Sequence, residues 1–177
     1  MVFARTKIMI HDWCFEEAPT ELFLNYTGPN PQIALKHYME SLKTIFKVRD
    51  SEIQEKNFNW DRAGKEEKFD LEFEVRKDMD KNTYLFIQGG LEGTITPSEQ
   101  FGKEGHLRVR ITGAVRTEYP QDTFWQKSLI YEFFRVMYHK LIYVSLWEKY
   151  MAECREMTRY FVEEMKAYLN LLQKGGM

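Results

Sequence analysis

The chain has 177 residues, of which 15% are aromatic, and its 25 basic and 27 acidic side chains give a formal charge of −2. The charges are interspersed, with no Lys/Arg block, so the electrostatic footprint of a nucleic-acid binder is missing, and so much aromatic residue excludes disorder over most of the length. A chain this long can bury a real core, and 1–177 is read as one domain.

Residues 2–13 alternate Val2, Ala4, Thr6, Ile8 and Ile10 against Phe3, Arg5, Lys7, Met9 and His11, a period of two that predicts a strand. The segment also lacks the apolar run of a signal peptide. A loop is expected next, punctuated by Pro19 and Thr27-Gly28-Pro29-Asn30-Pro31. Asn30 before Pro31 reads as a helix cap with proline at the first helical position. Leu35, Tyr38, Leu42 and Ile45 then recur at helical spacing, so a helix is expected over 31–47.

From 51 to 118 the period is two. Phe58 and Trp60 form one short strand; Phe69, Leu71, Phe73 and Val75 alternate with Asp70, Glu72, Glu74 and Arg76 in the next. After a turn at 78–81, the strand 82–88 is apolar on both faces. Gly89-Gly90 is read as a hairpin turn or bulge before a short strand over 91–96. Leu107, Val109, Ile111, Gly113 and Val115 alternate with Arg108, Arg110, Thr112 and Arg116 in the last strand. The prediction is an antiparallel meander with one face in the core and one in water. Its acidic row at 70–74 and arginine row at 108–116 would share the wet face, where they could pair. In strand 82–88, Tyr84 and Phe86 point to one face and Leu85 and Ile87 to the other, so whichever pair lies on the wet face calls for a cover, expected to be a non-sheet element, either residues from 146 onward or a partner subunit.

Between Pro120 and Gly175 there is neither glycine nor proline, and helical periodicity runs from Ile130 through Phe134, Met137, Leu141, Trp147, Met151 and Phe161 to Leu172. One straight helix of that length would span roughly 75 Å, against a radius of gyration of about 16 Å for such a domain. The helix therefore breaks, or its end (150–174) projects or folds back. Its aromatics go round the helix rather than down one stripe, which implies cover on several sides. The most apolar window, Leu129 to Trp147, holds Glu132, Arg135, His139 and Lys140, too many charges for a membrane span.

No constellation of catalytic residues stands out. Four scattered histidines (His11, His37, His106, His139) offer no ligand set, and no metal or cofactor is expected. Gly89-Gly90-Leu91-Glu92-Gly93 lacks the spacing of a phosphate loop. Cys14 and Cys154 could form one disulfide. With no sign of an oxidising compartment they read as small buried hydrophobes in a cytoplasmic protein, and the sequon at Asn25 reads as chance.

The order strand, helix, antiparallel strands, long C-terminal helix resembles the helix-grip fold of the START-like superfamily, which includes lipid-transfer domains and polyketide cyclases. The likeness spans the strand at 2–13, the helix at 31–47, the strands of 51–118 and the helical region from about 122, with one strand and one early helix fewer than the family pattern. It implies an α+β domain of about six strands, gripped by a long C-terminal helix or helix pair. It also implies a cavity for a hydrophobic small molecule or lipid between sheet and helix. Phe58, Trp60, Phe73, Val109 and Ile111 would face Phe134, Met137 and Leu141 there, and Gly113 would admit the helix or a ligand closely; the same positions also suit plain core. Two other readings stand beside it. One is a homo-oligomeric interaction protein assembled through the aromatic C-terminal helices. The other is a cyclase- or aromatase-type enzyme, for which Asp12, Tyr131 and Tyr138 are the residues to mutate first.

Overall fold

The computed structural model describes residues 7–15, 21–99 and 101–175. The first strand, β1, is Lys7–Trp13; residues 2–6 of the predicted strand lie outside the described residues. A second strand, β2, runs Glu21–Pro29, where a loop was expected. Leu22, Leu24 and Tyr26 alternate with Phe23, Asn25 and Thr27, and the proline comes only at its last position, where a lost amide costs no ladder bond in the interior.

Asn30 adopts a left-handed conformation (φ 51°) and its side chain makes no cap bond, so the expected asparagine cap is not formed. A 3-10 turn at Pro31–Ile33 leads instead into helix α1, Ala34–Phe46. Strands β3 (Ile53–Asp61), β4 (Glu67–Asp78), β5 (Thr83–Ser98) and β6 (Gly102–Pro120) complete an antiparallel sheet ordered β1-β6-β5-β4-β3, with β2 also on β6. The fold is α+β with six strands, but not the six expected. The segments 82–88 and 91–96 are one continuous strand, and β2 makes up the number.

Gly89-Gly90 is therefore no turn. Both residues lie inside β5, Gly89 opposite Ile111 and Gly90 opposite Arg110, with ordinary negative φ. What the pair provides is room. A Cβ on Gly89 would lie 2.1 Å from the Tyr38 hydroxyl of α1, so the absent side chain lets that ring reach the sheet.

After β6 a 3-10 turn (Trp125–Lys127) precedes helix α2, Leu129–Met137. A π turn over Tyr138–Ile142 then joins it to helix α3, Val144–Gly175. Helices α1 and α3 pack together on the inner face of the sheet. Tyr38 meets Phe161 edge-on at 5.2 Å, and Phe46 lies 6.1 Å from the same ring. Beneath them Leu71, Leu85, Ile87, Leu91, Leu107 and Ile111 are buried. A disulfide joins Cys14 to Cys154 across 140 residues, Cα to Cα 5.9 Å, clamping the end of β1 to α3; the reading of both as simple buried hydrophobes is corrected.

The outer face is covered, but not as expected. Tyr84 and Phe86 point outward and are buried beneath Arg76 and Arg116, whose guanidinium carbons stand 4.0 Å and 3.4 Å from the ring centroids. An arginine lays an apolar, stackable plane on a ring while its edge stays in water. The sheet's own side chains thus do what a separate element was expected to do. The acidic and arginine rows meet at one pair, Arg110 with Glu72 across side-chain-free Gly90, while Arg108 pairs instead with Glu92 of β5 at 3.3 Å.

Candidate functional site

The nine positions expected to line a cavity divide into two groups. Phe73, Val109 and Ile111 are in the core, and Gly113 lies against α3, where an added Cβ would be 3.0 Å from the Cys154 sulfur. Trp60 is half-buried on β3, its indole N–H donating to Glu67, and Phe58 beside it is 52% exposed. Phe134, Met137 and Leu141 do not face any of these. All three point into solvent, Leu141 with 68% of its surface open. The space between sheet and helices is occupied by Tyr38, Phe46 and Phe161. An open trough of about 600 Å³ lies on the outer face instead, bordered by Lys68, Asp70, Glu92 and Arg108. Among the described residues no three His, Cys, Asp or Glu side chains are grouped to hold a metal.

Of the residues singled out for an enzyme, Asp12 faces the helices and accepts a hydrogen bond from the Trp147 indole at 3.1 Å. Tyr131 is half-buried and Tyr138 is exposed. They do not converge on Asp12 with a nucleophile.

The feature that sets this molecule apart is the segment from Phe124 to Leu146. It carries thirteen of the twenty large hydrophobic side chains exposed among the described residues, including Phe124 at 94% and Leu129 at 88%. Helix α2 is built inside out. Polar residues of α2 and the π turn after it face the body: Arg135 lies over the Tyr119 ring at 5.1 Å, and His139 bonds the Tyr119 hydroxyl at 3.0 Å. Arg135 also forks onto Glu132 and holds its carboxyl below the usual range. Burial, with a smaller push from Arg135, holds the His139 pKa below its ordinary value against the opposing Asp12 carboxylate. Leu129, Ile130, Phe133, Phe134, Met137 and Leu141 take the opposite, open side.

The base of this arm is fixed by a buried polar chain. The Tyr143 hydroxyl donates to Asp80 at 2.5 Å, and the Thr83 hydroxyl, 2.5 Å away, bonds Tyr143 and, at 3.0 Å, Thr117. Asp80 also receives the amides of Asn82 and Thr83, each at 2.8 Å. Burial alone would raise its pKa; these bonds outweigh it and hold the carboxyl below its ordinary value. The arm is thus held rigidly at its root and bare along its length. The aromatics running round the helix were the sequence signal for this surface; Phe124, Trp125, Leu129, Lys127 and Lys140 were not picked out by it.

No family model matches the chain, and no curated protein matches it. Among solved structures, one of a Staphylococcus aureus protein of unknown function is similar over 95% of this chain and 96% of that one, at 9% identity and a TM-score of 0.26. A sheet with a C-terminal helix across it is consistent with the helix-grip architecture, and no helix among the described residues is long and apolar enough to cross a membrane.

Proposed function

We propose that this chain is an interaction protein whose working surface is the apolar outer side of the arm, residues 124–146. The observation that carries this is the inversion of α2, which turns Arg135 and His139 toward the sheet and Leu129, Phe133 and Leu141 away from it. Exposed apolar patches on monomers rarely exceed about 300–600 Å² and larger ones mark docking sites. Here thirteen large hydrophobic side chains are exposed within residues 124–146, a concentration far beyond the singly scattered apolar residues of an ordinary surface. A fold that had simply failed to bury a helix would turn its polar side to water; this one spends its polar contacts on the inner side and leaves the other bare.

The test is a triple variant, Leu129→Ser, Phe133→Ser and Leu141→Ser, compared with the native chain for thermal midpoint and for binding of a fluorescent hydrophobic dye. A docking surface gives an unchanged or higher midpoint and loss of dye binding. A midpoint lowered as a core substitution lowers it would show that the arc belongs to the fold, and the reading fails.

A further inference from the structure

We propose that the occupant of the arm is the surface of a lipid bilayer bearing anionic headgroups; this rests on the docking reading above and names its partner. Charge decides between a bilayer and a second copy of the chain. From 124 to 146 the basic residues are Lys127, Arg135 and Lys140, and the single acidic one is Glu132, already engaged by Arg135. Every uncommitted charge on the face is therefore positive, although the whole chain is at −2. Lys140 is exposed within a segment flanked by the open side chains of Met137, Tyr138, Leu141 and Ile142. Against an identical copy, lysines on both sides would be taken out of water within a segment whose one carboxylate is engaged, the next exposed ones, Asp122 and Glu148, standing beyond its two ends. Against a bilayer the same lysines extend along the apolar surface and place their ammonium groups among phosphates.

The remaining residues suit that position. Trp125 and Tyr138, both exposed, have an apolar body with one polar atom, the type that settles at the headgroup level. Phe124 and Leu129, the most open hydrophobics of the arm, would go deepest. The helical part, 129–142, is about 20 Å long at 1.5 Å per residue, short of the ~30 Å hydrocarbon core. It lies in the interface plane, as amphipathic helices with an apolar face and flanking cations do.

The experiment is flotation of the full chain with vesicles of phosphatidylcholine alone or mixed with phosphatidylglycerol, alongside tryptophan emission and light scattering without lipid. The expected result is co-flotation with the phosphatidylglycerol vesicles, weakened by salt, with a blue shift that disappears in Trp125→Phe. Leu129→Glu with Leu141→Glu should abolish it. Lys127→Gln with Lys140→Gln should weaken it roughly 25-fold, at about fivefold per lysine. Thermal midpoints of all variants show that they are folded. Flotation unaffected by Leu129→Glu with Leu141→Glu would overturn the proposal. So would an unbound native chain that scatters as a dimer and becomes monomeric in that variant; this second outcome leaves the docking reading standing and makes a second copy the occupant.

Discussion

Helices α2 and α3 are neighbours in one helical run with similar side chains, and they use them in opposite senses. In α3 the apolar row Met151, Cys154, Phe161, Met165 and Leu169 is turned onto the sheet and α1, and all five are buried. In α2 the apolar row is turned to the outside and the charged residues are turned in. Amphipathic periodicity therefore shows that a helix has two kinds of side; it does not say which of them the rest of the chain will cover.

The sharpest way to break this comparison is to truncate one ring on each side of the joint. Phe161→Ala should cost about 3–5 kcal/mol, as large-to-small changes in a packed core do, whereas Phe133→Ala should stay within about 0.5 kcal/mol, the range of surface changes. Equal losses in chemical denaturation would erase the distinction. A second test asks how much of the grip of α3 is covalent. Replacing Cys14 and Cys154 by Ser removes a link across 140 residues and should lower stability by about 2–4 kcal/mol, read as a lower denaturant midpoint with no change in the arm's dye binding.

The joint itself comes next. Tyr143→Phe leaves Asp80 without its shortest donor and should cost about 1–3 kcal/mol. It should also change the acid limb of stability. The native Asp80 carboxyl sits below its ordinary value of 3.8, so as pH falls the unfolded chain takes up the proton first. The stability this contributes is present above that pH and is lost as pH falls from about 4 through the native value. Asp80→Asn should flatten that part of the thermal-midpoint profile; a profile parallel to the native one would show that the carboxylate is not what holds the arm's root. The smallest effect belongs to the outer face of the sheet. Arg108→Ala, which breaks an exposed pair with Glu92, should cost under about 1 kcal/mol and less in high salt. A larger, salt-insensitive loss would assign the effect to the Arg108 guanidinium lying 4.3 Å from the Phe23 ring.

The fold class was legible because period two and period 3.6 differ so clearly in this chain. Phe69 to Arg76 alternate without an error, and Leu35 to Ile45 keep one stripe. Strand β2 was hidden by punctuation: Gly28-Pro29-Asn30-Pro31 outweighed the alternation of Leu22, Leu24 and Tyr26 just before it. The glycine pair in β5 was misread because glycine serves turns and close approach equally, and only the position of Tyr38 tells which. The placement of Phe134, Met137 and Leu141 was not legible at all. Their spacing is the same whether they face the sheet or the solvent, and what decides it is the geometry of five residues further on.

That geometry is the π turn at 138–142, where the Tyr143 amide bonds the Tyr138 carbonyl five residues back. A wide turn of this kind accommodates one residue more than an α turn, and one residue is about 100° of rotation. Counted back from buried Thr158 and Cys154 in steps of 3.6, an unbroken helix would carry Lys140, Val136, Phe133 and Leu129 round to the protein side. One extra residue advances the count by a place, to His139, Arg135, Glu132 and Ser128, all of them half-buried, as Tyr131 is too. The extra residue of the π turn rotates α2 by about 100°, and together with the bend at Tyr143 it sets which side of α2 meets the sheet.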